Sequence, residues 1–173
     1  NYYKDIRELD LLAVHALKLL ILTATRTKEV IQSKFSEFDL DKKVWTIPGH
    51  KMKAGVEHKI PLSNEAIQII NFMRQKHNHE YVFHNPATGK HISNGAMLVF
   101  TKKHYTKTKI TVHGFRATFR TWAEEAGQYQ DHAIEFCLSH SLPTKVEKAY
   151  LRTNLIEMRK KIMKDWEEFL LKK

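Results

Sequence analysis

The chain has 173 residues, enough for one sizeable hydrophobic core, and its 42% hydrophobic and 28% charged residues are typical of a folded, not a disordered, protein. The single cysteine, Cys137, excludes an internal disulfide and a multi-cysteine zinc site and fits a reducing compartment. The net charge of +10 favours a polyanionic partner such as nucleic acid, although many basic proteins bind no nucleic acid specifically.

The first third of the chain predicts one buried helix followed by a small sheet. The apolar stretch Leu11–Leu22 has helical spacing, and its interruption by His15 and Lys18 favours a buried helix, ending at about Thr23, over a membrane-spanning one. Three short β-like runs follow, separated by turn residues: Phe35–Leu40, Val44–Pro48 and His58–Pro61. This pattern predicts a three-stranded antiparallel meander.

The rest of the chain is predicted to be mostly helical. In chain order, we expect a helix capped by Ser63 with Glu65 in its first turn, an extended piece at Tyr81–Phe83, a helix capped by Ser93, a helix from His113 that stops at Gly127, a helix that ends near His140, a short helix over Val146–Tyr150 and a last helix from about Asn154. Without an internal repeat or flexible linker, the chain is predicted to be one mainly α (α+β) domain with a small three-stranded antiparallel sheet.

Several polar residues that could take part in catalysis lie at the ends of these predicted elements. They are Arg26 in Thr-Ala-Thr-Arg-Thr-Lys-Glu with Glu29 one helical turn later, Lys53 at the tip of the second hairpin, His113 and Arg116 in His-Gly-Phe-Arg, His140 in Leu-Ser-His and Tyr150 in Ala-Tyr-Leu-Arg. The spacing of His113 and Arg116 places both on one face of a helix start. Two guanidiniums, an amine, two imidazoles and a phenol are groups that suit phosphoryl transfer.

Each of these residues also has a structural interpretation. Arg26 and Glu29 could form a surface ion pair, Lys53 could be one solvated lysine among many, His113 and Arg116 could decorate a helix start, and Tyr150 could be a core aromatic residue. Taken singly, those interpretations outweigh a catalytic one. Their joint occurrence in this order and with these flanking segments favours a catalytic site.

The set resembles the tyrosine recombinases, and most closely the prophage and genomic-island integrases. The resemblance extends over nearly the whole chain, and the segments that carry it beyond the polar positions are Trp45–Pro48, Lys51–Gly55, His58–Ser63 and His113–Ala123. Two departures are Ala24 and Lys28, where a glycine is common in the family, and we expect neither to touch a catalytic group.

The resemblance implies the DNA breaking-rejoining enzyme fold, with residues 1–173 as the catalytic domain. The N-terminal core-binding and arm-binding domains of the family are not visible, and the start at Asn1 without a Met is consistent with a piece of a longer chain. The implied reaction is site-specific DNA recombination through a 3′-phosphotyrosyl intermediate, with no metal and no cofactor. The expected roles are nucleophile for Tyr150, phosphate clamp for Arg26 and Arg116, base for His113, acid for Lys53, phosphate contact for His140 and support for Glu29.

The expected partner is double-stranded DNA carrying attachment sites. A basic stretch around Tyr105 could be a solvated face, but we expect it to contact DNA phosphates: Lys102, Lys103, Lys107 and Lys109. The resemblance further implies a homotetramer on DNA, and it is compatible with a monomer without DNA and with accessory DNA-bending and directionality proteins. We expect no membrane partner, and the expected location is the bacterial cytoplasm, associated with the nucleoid.

Two other functions stay open at this point. A type IB topoisomerase uses the same kinds of residue on a similar domain, and a non-catalytic DNA-binding module would need none of them. A metal site at His77-Asn78-His79-Glu80 is disfavoured, because no further ligand stands at a recognisable spacing. The apolar stripe of the last helix, with Trp166 and Phe169, fits packing either on its own core or on a neighbouring protomer.

Overall fold

One buried helix forms the centre of the fold. The structure, a computed structural model, describes residues 2–105, 110–139 and 145–172, and of residues 145–154 it describes the backbone only. Helix α2 spans Leu12–Thr23, and every residue from Val14 to Thr23 is buried. Lys18 is among them, with its ammonium donating a hydrogen bond to the Arg7 carbonyl at 2.8 Å. The predicted buried helix is therefore confirmed, including its end at Thr23.

Further helices surround α2. In chain order, those of the described residues are α1 Tyr2–Arg7, α3 Thr27–Ile31, α4 Asn64–Lys76, α5 Ala96–His104, α6 Gly114–Glu125, α7 Asp131–Cys137 and α8 Lys145–Leu171. Helices α1, α3, α4, α5 and α8 all contact α2, and α6 and α7 pack on each other and on α8. The mainly α character predicted from the sequence is confirmed. In the part of the chain that the structure describes, no helix has the length and apolarity that a bilayer crossing requires.

The predicted three-stranded meander is also present. Strands β1 Phe38–Asp39, β2 Val44–Ile47 and β3 His58–Pro61 form an antiparallel sheet in the order β1-β2-β3. A second, two-stranded sheet pairs β4 His84–Asn85 with β5 Lys90–His91. The expected strand over Phe35–Leu40 is shorter than predicted, because residues 35–37 form a 3-10 turn. Its first amide, that of Phe35, donates to the Glu80 carbonyl at 3.0 Å.

One of the two predicted helix caps is confirmed in its position, and the other was wrong. Ser63 occupies the N-cap position of α4, but its buried hydroxyl has no hydrogen-bond partner in the described part of the chain. The amide of Glu65 instead donates to a carboxylate oxygen of Glu167, on α8, at 2.6 Å. The prediction that Ser93 caps the next helix was wrong: α5 begins at Ala96, three residues later, and the cap position is Gly95.

Helix α8 replaces the two helices expected over Val146–Tyr150 and from Asn154. It runs without a break from Lys145 to Leu171, so the predicted interruption was wrong. From residue 155 onward its apolar stripe packs on the core of the same chain. Trp166 is 1% exposed, donates from Nε1 to the Ile21 carbonyl at 2.8 Å and meets the ring of Phe119 edge-on.

Candidate active site

Three of the predicted site residues meet around one cavity. It has a volume of about 410 Å³ and lies where the α2–α3 turn faces the start of α6. Its lining residues are Thr25, Arg26, Thr27, Lys28, Asn94, Val112, His113 and Arg116. Arg26, His113 and Arg116, which are far apart in the sequence, thus face the same space, and the expected common face of His113 and Arg116 is present.

Arg26 is held from its own helix and from across the fold. As the N-cap of α3, it donates from its backbone amide to Glu29 Oε2 at 2.8 Å and from Nη1 to Glu29 Oε1 at 2.9 Å. Glu29 is 5% exposed, so its carboxylate is a buried counter-charge. Nη1 also donates to the Ser139 hydroxyl at 2.5 Å. Among the described residues, no acceptor is hydrogen-bonded to Nε or Nη2 of Arg26.

Arg116 is buried and held by two backbone carbonyls. Its Nη1 donates to the Ala24 carbonyl, and its Nη2 donates to the Leu138 carbonyl at 2.7 Å. Burial, with the nearby positive charge of Arg26, lowers the pKa of Arg116 to about 10, while Glu29 opposes this shift. The guanidinium therefore keeps its charge at neutral pH and is oriented before any ligand binds.

The contact with Ala24 corrects one sequence expectation. Ala24 was expected to touch no catalytic group, but its carbonyl accepts a hydrogen bond from Arg116. Ala24 has a φ of 50°, in the left-handed region that glycine adopts most easily, which gives a physical reason for glycine being common there. Lys28, the second departure, is exposed and lines the cavity.

The turn after α7 is a part of the site that the sequence did not reveal. Leu138 and Ser139 each receive a hydrogen bond from a cavity arginine, and Ser139 has a φ of 52°. These two residues come immediately before His140, so both arginines are hydrogen-bonded to the segment that leads to this predicted site residue. The motif Leu-Ser-His drew attention to His140 and so to this segment. The hydrogen bond at Leu138, however, is to a main-chain carbonyl, which no sequence pattern reveals.

His58, on β3, is a second residue that was not predicted for the site. It is 8% exposed, and its Nε2 has no hydrogen-bond partner among the described residues. Burial is the main cause that lowers the pKa of His58 to about 3, and the positive charges of Arg159, Arg26 and Arg116 act in the same direction. The imidazole of His58 is therefore neutral at neutral pH, and it lies near enough to Arg26 and Arg116 for their charges to affect its pKa.

The other predicted residues are not brought to the cavity by the described structure. Lys53 is exposed in the loop between β2 and β3 and is not among the lining residues. His140 lies outside the described residues, and the structure gives Tyr150 only a backbone position, in α8.

The predicted basic stretch is described in part. Lys102 and Lys103 are exposed in the last turn of α5, whereas Lys107 and Lys109 lie outside the described residues. Within the described ranges, no group of three or more His, Cys, Asp or Glu side chains is arranged to hold a metal ion.

The cavity, with two guanidiniums and an imidazole, presents groups that stabilise a phosphate. The sequence matches the phage integrase family over residues 4–155, which is most of the chain. This chain belongs to the phage integrase family. The tyrosine-recombinase resemblance seen in the sequence is thereby confirmed.

Curated relatives from the phage integrase family align with most of this chain. It is 33% identical over 172 residues to the integrase of Enterobacteria phage P4, covering 90% of this chain and 39% of the phage protein. It is 30% identical over 168 residues to the prophage integrase IntZ of Escherichia coli (strain K12), covering 95% of this chain and 41% of that protein. The chain therefore spans about two fifths of the length of these relatives.

Solved structures of integrases share the fold. The integrase from mycobacterium phage Brujita superposes with a TM-score of 0.71 at 19% identity, covering 96% of this chain and 56% of that chain. The Tn1549 transposon integrase in complex with circular intermediate DNA gives a TM-score of 0.62 at 18% identity, covering 85% of this chain and 56% of that chain. The expected fold of the tyrosine recombinase catalytic domain is confirmed.

Proposed function

We propose that residues 1–173 are the catalytic domain of a site-specific DNA recombinase that integrates and excises a prophage or genomic island. The observation that carries the proposal is the convergence of Arg26, His113 and Arg116 on one cavity. Support comes from the family membership and from a structural neighbour that was solved with circular intermediate DNA.

In this reaction the phenol oxygen of Tyr150 attacks a DNA phosphorus. Arg26 and Arg116 bind the non-bridging oxygens and stabilise the charge of the pentacoordinate transition state. His113 accepts the phenol proton, Lys53 returns a proton to the 5′ oxygen as its bond to phosphorus breaks, and His140 hydrogen-bonds the phosphate. The products are a 3′-phosphotyrosine and a free 5′-hydroxyl, and attack by a 5′-hydroxyl of another duplex reverses the step.

The proposal includes the assembly in which the reaction occurs. The partner is double-stranded DNA with attachment sites, bound by a homotetramer, with accessory DNA-bending and directionality proteins as further partners. Lys102 and Lys103 are exposed and available to DNA phosphates, and Lys107 and Lys109 belong to the same proposed contact. A protein that acts on chromosomal attachment sites works at the bacterial nucleoid, in the cytoplasm.

The test is covalent capture, with the protein that carries this chain in its natural sequence context. It is incubated with a nicked suicide duplex containing its attachment sequence and analysed on a denaturing gel. We expect a protease-sensitive protein–DNA band that Tyr150→Phe abolishes, because the phenol is the nucleophile. Tyr129→Phe, which removes a hydroxyl that hydrogen-bonds Asp165, serves as the matched control and retains the band.

Three results would contradict the proposal. If the band persists in Tyr150→Phe, Tyr150 is not the nucleophile. If the wild-type protein forms no band on the correct site, a non-catalytic DNA-binding module is favoured. Relaxation of a plasmid without any specific site would point instead to a type IB topoisomerase.

A further inference from the structure

The loop that carries Lys53 is anchored by a buried ion pair. Lys51 Nζ contacts the Glu37 carboxylate, and the two side chains are only 13% and 6% exposed. The same ammonium donates to the Gln32 carbonyl, at the end of α3, at 2.7 Å. Trp45 Nε1, on β2, donates to the other Glu37 oxygen at 3.0 Å. Lys51 is therefore tied both to the sheet and to the helix that begins at Arg26.

A buried ion pair such as this one is not by itself evidence of added stability. An ammonium and a carboxylate lose hydration when they are buried, and apolar side chains of similar size often give equal or greater stability. A buried pair does, however, fix the position of the backbone that carries it. The position that Lys51 fixes is the root of the exposed loop between β2 and β3.

A tight turn connects this root to Lys53. Met52, the residue after Lys51, is buried with 8% exposure. The Gly55 amide donates to the Met52 carbonyl at 3.0 Å, which closes a turn with Lys53 and Ala54 at its exposed tip. The side chain of Lys53 is thus exposed, while the backbone on its N-terminal side is anchored in the core.

The two ends of the loop also touch each other. A Cβ added to Gly49 would lie 2.6 Å from the Gly55 carbonyl oxygen, so only glycine permits this approach. The Gly49 carbonyl accepts from the Met52 amide at 2.9 Å, and the Pro48 carbonyl accepts from the Lys51 amide at 3.0 Å. These backbone contacts connect Lys51 directly to the turn that carries Lys53.

We propose that Lys51, through its pair with Glu37, is a positioning residue for Lys53. The inference rests on the proposed function, in which Lys53 protonates the 5′ leaving oxygen. As the bond from the Tyr150 oxygen to phosphorus forms and the bond from phosphorus to the 5′ oxygen breaks, one proton passes from the Lys53 ammonium to that oxygen. The amine remains neutral, and the transfer requires the ammonium to stand within hydrogen-bond distance of the oxygen.

A sulfur substitution in the DNA separates positioning of the acid from a general structural effect. Cleavage rates are measured in single turnover on two suicide duplexes, one with oxygen and one with sulfur at the 5′ bridging position. A thiolate leaves without protonation, because a thiol is a far stronger acid than an alcohol. A variant that only misplaces the acid therefore loses rate on the oxygen substrate and regains it on the sulfur substrate.

We expect Lys51→Met to slow cleavage of the oxygen substrate by about 10- to 100-fold and to cleave the sulfur substrate within about threefold of wild type. Lys53→Ala should behave in the same way with a larger loss. Gly49→Ala, which opens the loop without removing the ion pair, and the double variant Glu37→Gln/Lys51→Met give further tests. Lys42→Met is the matched control, since it breaks an exposed pair with Asp39 on the same sheet.

The ratio of the two rates within one variant does not depend on how much of the protein is folded. An equal loss on both substrates for Lys51→Met, or no loss on either, overturns the inference while leaving the proposed function in place. If wild-type protein forms no adduct, or if sulfur does not restore Lys53→Ala, the proposed acid role fails and the inference falls with it.

Discussion

The two kinds of cation in this domain are held in opposite ways. Arg116 is buried, and its guanidinium itself is fixed by the carbonyls of Ala24 and Leu138. Lys53 is exposed, and only the backbone beneath it is fixed, through Lys51 and Met52. In the proposed reaction, a guanidinium oriented in advance suits the stabilisation of charge, whereas an exposed ammonium on an anchored turn suits a group that reaches into DNA.

The largest effect that we predict is the loss of covalent cleavage when Arg116 is replaced with lysine. An ammonium at this position would keep a positive charge but lose the planar fork that bonds two carbonyls and, in the proposed reaction, also binds a phosphate, so we expect covalent cleavage to fall about 10³-fold. Single-turnover adduct formation measures the effect. Arg120→Lys, at an exposed arginine on the same helix that pairs with Glu124, is the control. A loss of less than tenfold in Arg116→Lys would show that charge alone suffices.

A second experiment tests the neutral imidazole of His58 by its pH dependence. Folding depresses the pKa of His58 to about 3, so below its ordinary pKa of about 6.5 only the unfolded chain binds the proton. Stability is therefore fully present above pH 6.5 and is lost as the pH falls toward 3. From pH 7.5 to pH 5 this group should lower the free energy of unfolding by about 2 kcal/mol.

Urea unfolding of wild type and His58→Leu at both pH values measures this contribution. The leucine variant should lose about 2 kcal/mol less than wild type over the interval. Parallel pH dependence of wild type and His58→Leu would contradict the burial of a neutral His58.

The smallest predicted effect concerns Ser139, which joins the arginine side of the site to the turn before His140. Ser139→Ala removes the hydroxyl that accepts from Arg26 and leaves in place the unfavourable left-handed backbone, with a φ of 52°, of the wild type. Ser139→Gly removes the same hydroxyl but relieves the left-handed backbone. We expect the glycine variant to be more stable than the alanine variant by about 1 kcal/mol, measured by thermal unfolding. Equal stability would mean that the turn relaxes at no cost.

The sequence predicted the elements that have strong local patterns. Helix α2 was recognisable because its apolar residues repeat at helical spacing, and the meander because its β-like runs alternate with turn residues. Boundaries that depend on tertiary contacts were missed. The 3-10 turn at residues 35–37 depends on a hydrogen bond from the Phe35 amide to the Glu80 carbonyl. The two helices predicted where α8 lies are one helix, because no Gly or Pro interrupts the sequence between Lys145 and Leu171.

The site could be predicted where it depends on side-chain type and order. Arg26, His113 and Arg116 were expected together and do line one cavity. The carbonyl partners of Arg116 were not predictable, because every residue has a carbonyl. Lys51 was hidden among 29 lysines and arginines, and His58 was not assigned to the site, because burial decides the role of each and burial is a property of the fold.

Helix α8 constrains how the proposed nucleophile is delivered. The helix is continuous from Lys145 to Leu171, and Trp166, near its C-terminal end, donates a hydrogen bond to the Ile21 carbonyl. Arg159, nine residues beyond Tyr150, donates a second hydrogen bond to the Lys59 carbonyl at 2.5 Å. The helix cannot slide or rotate as a whole without losing these hydrogen bonds and its packing on the core. Any difference in the placement of Tyr150 between resting and reacting protein must be made within the ten residues that precede Leu155.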